Sequence, residues 1–296
     1  MATFSLQAQP ENAADWIDTA RRAEAAGFDS LLTADHPGSC SSPFVALAAA
    51  AAVTSRIKLG SYVSNAGVRE PMLLACDVAT LDLVSGGRAM LGLGAGHTPA
   101  EWAAVGRTRP DVPGRVERCI AVAEATMALL AGEEVTVDSP ELRMTRARLE
   151  SPRPVRERVP LIIGGGNARL LDWAREHADL IGLSGLARTL PDGHAHTVRW
   201  RLDAIDAQVA ALTGKPLEAL VQHVEVTDDA ERALTDLAER TGLPWDELRQ
   251  VPYVLVGTED EIVASIRMHE RRWGITRYAV RRPALDALAG VMKRTG

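Results

Sequence analysis

The chain is short of the residues that would staple a fold or flag a partner. It has three cysteines in 296 residues, Cys40, Cys76 and Cys119, odd in number and far apart. That spacing supplies neither a disulfide framework nor a zinc site, and reduced thiols suit a cytosolic setting. Aromatic residues make up only 4%, so no run of rings hints at a substrate. Basic residues are outnumbered, 33 against 39 acidic ones, for a net charge of −6. A nucleic-acid binder normally shows a basic face, so no nucleic-acid partner is expected. The apolar run LAAAAAV at 47–53 is too short to cross a membrane. The opening MATFSLQAQPENAADW lacks a basic segment followed by an apolar one, so no signal peptide is expected, and the chain reads as soluble and cytoplasmic. No Gly-x-Ser-x-Gly elbow and no P-loop lysine motif occurs.

What is present is alternation. Hydrophobic residues supply 46%, enough for a large core. Strand-like runs fall at 4–7, 28–33, 57–63, 88–93, 161–163, 180–183, 220–226 and 276–280. Helical periodicity falls at 12–26, 43–53, 71–84, 116–130, 168–177, 198–212, 229–241, 259–272 and 284–294. Strands that alternate with helices pair in parallel. Eight such units in this length predict an α/β fold, a closed (β/α)8 TIM barrel forming one domain over 1–296. The polar stretch 133–158 reads as an insertion between helix 4 and strand 5, with a β-hairpin around Asp138–Pro140. In such a barrel the functional groups stand just after the strands.

Residues 86–97, GGRAMLGLGAGH, test this placement. The dinucleotide fingerprint needs a third glycine where His97 stands, and a helix directly after it. Here Pro99 and Pro110 interrupt the residues after His97. In the barrel register these glycines serve either tight packing, as expected of Gly92, or the close approach of a flat ligand to the backbone. Asp35 and His36 follow strand 2, as either a loop pair or an acid–base pair. Ser64 and Asn65 follow strand 3 and could meet a ligand. Ala95, Gly96 and His97 follow strand 4, with His97 either a loop residue or a proton carrier. Gly164, Gly165, Gly166 and Asn167 lead from strand 5 into a helix whose free N–H groups could bind phosphate, with Ser184 and Gly185 alongside. His194 and His196 lack a second cluster of ligands, so no metal site is expected.

In combination, AEAAGFDSLLTADH (23–36), TSRIKLGSYV (54–63), LDLVSGGRAMLGLGAGH (81–97), VPLIIGGGNARLLDWAREHADLIGL (159–183) and LVGTEDEIVASI (255–266) resemble the luciferase-like family of flavin- and deazaflavin-dependent oxidoreductases. Within it the chain is most similar to the group that uses coenzyme F420. The resemblance implies a tricyclic cofactor at the strand C-termini, F420 with FMN as the alternative. It implies a non-prolyl cis peptide at Tyr62–Val63 behind the ring, and Asp35 and His36 near the hydride-carrying face. Ala95–His97 would line the pocket, and Gly164–Asn167 with Ser184–Gly185 would cradle the phosphate. His36 would move a proton with Asp35 fixing its orientation, and His97 would be a second acid. Deazaflavin-using relatives that oxidise a sugar or alcohol often carry a carboxylate where His97 stands, so reduction of an activated C=C or C=N bond of a small molecule is expected. The alternatives are an FMN-dependent monooxygenase, sheltered from water by the loop 98–114 and the insertion, and a barrel that binds ligand without turnover. A homodimer through helices 2 and 3 is also implied.

Overall fold

Runs such as Ser30–Thr33 and Ala89–Gly94 are buried along their whole length. A strand covered on both faces has no polar side to alternate with, which is the mark of a parallel sheet wrapped in helices. In the computed structural model, which describes residues 1–190 and 196–295, eight such strands close on themselves. They are β1 (Thr3–Gln7), β2 (Ser30–Thr33), β3 (Lys58–Ser61), β4 (Ala89–Gly94), β5 (Leu161–Gly164), β6 (Leu180–Leu183), β7 (Leu217–Leu220) and β8 (Arg277–Arg281). Each pairs in parallel with the next, and β8 returns to β1 in the register Thr3↔Arg277 to Gln7↔Arg281. The protein is a (β/α)8 barrel.

The crossover helices start and stop where the sequence punctuates them. Asn12 caps α1 (Ala13–Ala26), whose end is closed by Gly27 in the left-handed conformation. Proline opens α2 (Pro43–Ala51) and α3 (Pro71–Ser85). Two further helices, α4 (Pro99–Ala104) and α5 (Val112–Ala131), lie between β4 and β5. Next come α6 (Ala168–His177), α7 (Leu202–Ala210), α8 (Ala230–Thr241), α9 (Trp245–Leu248) and α10 (Glu259–Trp273). Leu32, Tyr62, Met90, Ile162, Leu180 and Ala279 form a small cluster inside the barrel. The main core lies between strands and helices.

Four segments differ from the sequence expectation. The seventh barrel strand is Leu217–Leu220 rather than 220–226. The chain changes partner there: Val221 N donates to Ala279 O, and Gln222 N then donates to Tyr253 O. His223–Val226 thus pairs with Val254–Gly257 in a separate two-stranded ladder. Leu186–Thr189 pairs antiparallel with His196–Val198, so the helix expected at 198–212 starts only at Leu202. His194 lies outside the described residues. The helix expected from Val116 starts at Val112, because Asp111 accepts from Gly114 N at 2.9 Å and Pro113 suits the first turn. The loop expected at 98–114 contains α4. The insertion does form a hairpin, Glu134–Asp138 against Arg143–Arg148. Among the described residues, no helix is long and apolar enough to cross a membrane.

Candidate active site

A cavity of about 1680 Å³ opens at the C-terminal ends of the strands. Its wall holds Asp35, His36, Tyr62, Val63, Ser64, Asn65, Ala95, Gly96, His97, Gly164, Gly165, Gly166, Asn167 and Ser184. Gly185 is not part of that wall. It takes φ 64°, and a Cβ there would lie 2.4 Å from Trp200 Nε1, so its missing side chain makes room for packing.

The peptide Tyr62–Val63 is cis, as the resemblance implied. Beyond it Ser64 and Asn65 pair with Leu93 and Gly94 of β4. The Val63 side chain fills the space that side chains at Gly94 and Gly164 would take, 2.6 and 2.8 Å from their ideal Cβ positions. The glycines at 92–96 therefore admit neighbouring protein. Gly96, at φ 70°, is backed by the Asn65 carboxamide.

That carboxamide leads to a group that the sequence alone did not single out. Asn65 Nδ2 donates to Glu101 Oε2 at 2.5 Å, and the other carboxylate oxygen lies 2.7 Å from His36 Nδ1. Glu101 is on α4 and 5% exposed. The sequence does carry a signal for it. Thr98-Pro-Ala-Glu101 has the T-x-x-E spacing of a capping box with proline at the first helical position. The two prolines nearby give the same stretch the look of a loop. In the structure no cap bond forms from Thr98, and the carboxylate turns to His36 and Asn65.

The role expected of Asp35 changes accordingly. Asp35 takes Arg69 in two hydrogen bonds, at 2.9 and 2.7 Å, and accepts Asn65 N at 3.1 Å. It pins the segment after the cis peptide, while the partner of the His36 ring is Glu101.

The two histidines on this wall are tuned in opposite directions. The hydrogen bond to Glu101 raises His36 above the ordinary imidazole value, against the effect of burial. Burial would raise the Glu101 carboxyl, but His36 and Asn65 bring it below its usual range. His97 is pushed down to about 4, first by burial and then by His196 and His36. Its ring meets His36 edge-on with centroids 5.5 Å apart, and His196 at 4.6 Å. Among the described residues no His, Cys, Asp and Glu cluster is placed to hold a metal.

On the strand 4 to strand 6 side the wall is cationic. Arg109, Arg115, Arg188 and Arg199 all line the cavity, and none makes an ion pair among the described residues. The Nε atoms of Arg109 and Arg115 are buried without a partner. By contrast, Arg22 and Arg282 across the cavity are matched by Asp18, Asp286, Glu11 and Asp15. Arg199 Nη1 donates to Gly166 O at 3.3 Å, and Asn167 next to it caps α6, accepting from Leu170 N at 3.2 Å. A Cβ at Gly166 would meet nothing closer than 3.5 Å. Buried donors without acceptors, a helix N-terminus and open space above glycine are features that suit an anionic group.

Comparison with known proteins agrees with this architecture. Over 160 residues the chain is 32% identical to a 5,10-methylenetetrahydromethanopterin reductase of Methanolobus tindarius, covering 54% of this chain and 47% of that protein. It is 28% identical over 260 residues to a 4-hydroxyprotoasukamycin monooxygenase of Streptomyces nodosus subsp. asukaensis, covering 83% of this chain and 65% of that one. The chain thus spans less than two thirds of the length of these curated relatives. The coenzyme F420 dependent tetrahydromethanopterin reductase of Methanopyrus kandleri superposes with a TM-score of 0.77 over 100% of this chain and 99% of that one, at 18% identity. The model of the luciferase-like monooxygenase family matches residues 2–261, nearly the whole barrel just described, and the chain belongs to that family.

Proposed function

We propose that the chain is an F420-dependent oxidoreductase that transfers a hydride between the deazaflavin and a small organic substrate, reducing an activated C=C or C=N bond. The observation that carries this reading is the buried Glu101 carboxylate 2.7 Å from His36 Nδ1 on the cavity wall. Reduction of a polarised double bond needs a proton as well as a hydride. A carboxylate on Nδ1 favours the protonated form of His36 and leaves Nε2 for the substrate. The residues present fit a phosphorylated ring cofactor. Gly165, Gly166 and Asn167 would take the phosphate, with Arg199, which donates to Gly166 O, beside them. Bound F420 supplies the hydride. Asp35 and Arg69 hold the segment after the cis peptide, and Asn65 fixes Glu101.

FMN also carries a phosphate that would suit the same cradle, so the test is a titration of purified protein with F420 and with FMN, followed by fluorescence. Micromolar F420 binding with weak FMN binding is expected. The reverse preference would move the reading to an FMN-dependent monooxygenase, and binding of neither would make it a ligand-binding barrel without turnover.

Glu101→Gln should lower reductive turnover about a hundredfold, the usual scale for a group supporting acid–base chemistry. The pH profile gives a second check. His36 is raised by Glu101, so turnover requiring its proton persists at low pH and falls as pH climbs through the raised value. In Glu101→Gln that fall should come at lower pH. An unmoved fall would remove Glu101 from the proton chemistry.

We also propose that two copies pair through α2 and α3. Val45 on α2 and Leu73, Leu83 and Val84 on α3 are exposed, at 72%, 66%, 51% and 54%. Large apolar side chains exposed on adjacent helices suit an interface. Leu73→Glu should convert a dimer to a monomer in sedimentation. A monomeric wild-type protein would overturn this.

A further inference from the structure

An arginine drawn partly out of water is costly unless a carboxylate meets it. This chain supplies that carboxylate at several half-buried arginines. Arg69 pairs with Asp35, Arg156 with Asp82 and Arg282 with Asp15. Arg109 and Arg115 are half-buried on the cavity wall and have none. Their Nε atoms are buried without a partner, and the Arg109 side chain makes no hydrogen bond at all among the described residues. The carboxylates in this part of the wall are taken elsewhere. Asp111 accepts from Gly114 N at 2.9 Å to cap α5, and Glu101 holds His36 and Asn65. The two cations also oppose each other: burial and then the charge of Arg109 bring Arg115 below the ordinary guanidinium value. Arg115 Nη1 donates to Gly96 O at 2.9 Å, which sets it beside His97, and the His97 ring in turn meets that of His36. The unmatched pair therefore stands on the His97 side of the cavity, apart from the Gly165–Asn167 turn that Arg199 joins.

We propose that Arg109 and Arg115 bind the carboxylate of the substrate, so that the double bond reduced is a C=C conjugated to a carboxylate. This rests on the hydride-transfer reading above. A planar guanidinium presents paired donors that match the two carboxylate oxygens. The same contact assists the reaction. As the hydride bonds to the β carbon, the π pair of the C=C bond shifts towards the carboxylate. Negative charge then grows on its two oxygens, where fixed cations stabilise it. The α carbon takes the proton of His36, and the product is the saturated carboxylate. Both electrons arrive with the hydride. His36, whose side chain is 37% exposed in the free protein, regains its proton from water after the product leaves.

The test titrates cofactor-free protein by calorimetry with cinnamate and with its neutral counterpart cinnamamide. Cinnamate should bind about tenfold more tightly, the scale of a hydrogen bond between charged groups. Arg109→Gln and Arg115→Gln should each weaken cinnamate about tenfold and leave cinnamamide unchanged. Replacing Arg109 breaks no hydrogen bond within the protein, so that variant reads the ligand contact alone. Arg115→Lys, which keeps the charge without the fork, should fall between the wild type and Arg115→Gln. Equal binding of the two probes overturns the proposal, and so does cinnamate binding that neither Gln variant disturbs. Titrating the same variants with F420 separates substrate from cofactor as the source of the anion. Unchanged F420 affinity is expected, and a loss there would give the pair to the cofactor phosphate and overturn the proposal. Cinnamate binding as expected in a protein that binds no F420 would keep the carboxylate site and overturn the hydride-transfer reading instead.

Discussion

Two glycine-rich stretches stand side by side at the mouth of the barrel, Gly92–Gly96 in and just past the end of β4 and Gly164–Gly166 at the end of β5. They use glycine for different reasons. In the first, a Cβ on Gly92 would lie 2.1 Å from the backbone oxygen of Ser61, and one on Gly96 would lie 2.0 Å from Asn65 Oδ1. The missing side chains are spaces already filled by the chain itself. In the second, Gly164 still makes room for Val63, but Gly165 and Gly166 meet nothing closer than 3.3 Å. Those spaces belong to the cavity. One stretch is glycine because the protein is too close, and the other leaves room above its backbone, as the proposed cofactor would require.

The largest effect expected from breaking this contrast is at Gly92. Its methyl group would collide with backbone, which cannot rotate away, so Gly92→Ala should cost about 3 kcal/mol or more, at the upper end of overpacking. Thermal or urea unfolding measures it. A variant as stable as the wild type would mean that the strands can part freely here, and the contrast would fail.

Gly94→Ala comes next, at about 2 kcal/mol, because the clash is with a side chain rather than backbone. This allows a sharper test. Val63→Ala removes the methyl group that Gly94→Ala would strike. The double variant should recover roughly 1 kcal/mol relative to the sum of the singles, the coupling expected of residues in contact. Strict additivity would show that Val63 is not what occupies the glycine's space.

Much of this barrel was legible in the sequence. The β4 run AMLGLG and the helices opened by Pro43 and Pro71 could be placed because a buried parallel strand and a proline-led helix each leave a local trace. The hairpin carrying His196 left none: LART and HTV are short and polar, and they form strands only by pairing with each other. Strand seven was misplaced for a related reason. LEALVQHVEV is one β-rich run whose hand-over from β8 to Tyr253 depends on a partner distant in sequence. At the site, position after a strand was enough to point to His36. It could not show which carboxylate the ring would meet. Asp35 is next to it in sequence, but Arg69 and Asn65 N claim its oxygens. Glu101 meets the ring from α4, which follows β4 and is far from His36 in sequence.

The smallest effect on stability, and the most informative for function, is expected at Gly166. The nearest atoms to an added Cβ are Leu186 O at 3.5 Å and Gln208 Nε2 at 3.7 Å, both ordinary contacts. Gly166→Ala should therefore leave stability within about 0.5 kcal/mol of wild type, as for a substitution that meets no packed neighbour. The methyl group would instead stand at the N-terminus of α6, where the phosphate of the proposed cofactor would reach backbone N–H groups. F420 affinity should fall about tenfold, equivalent to about 1.4 kcal/mol. Unchanged affinity would place the phosphate elsewhere, with Arg109 and Arg115 the next groups to replace. A large loss of stability would instead make this turn a second case of the first kind, with glycine kept for packing at both strand ends.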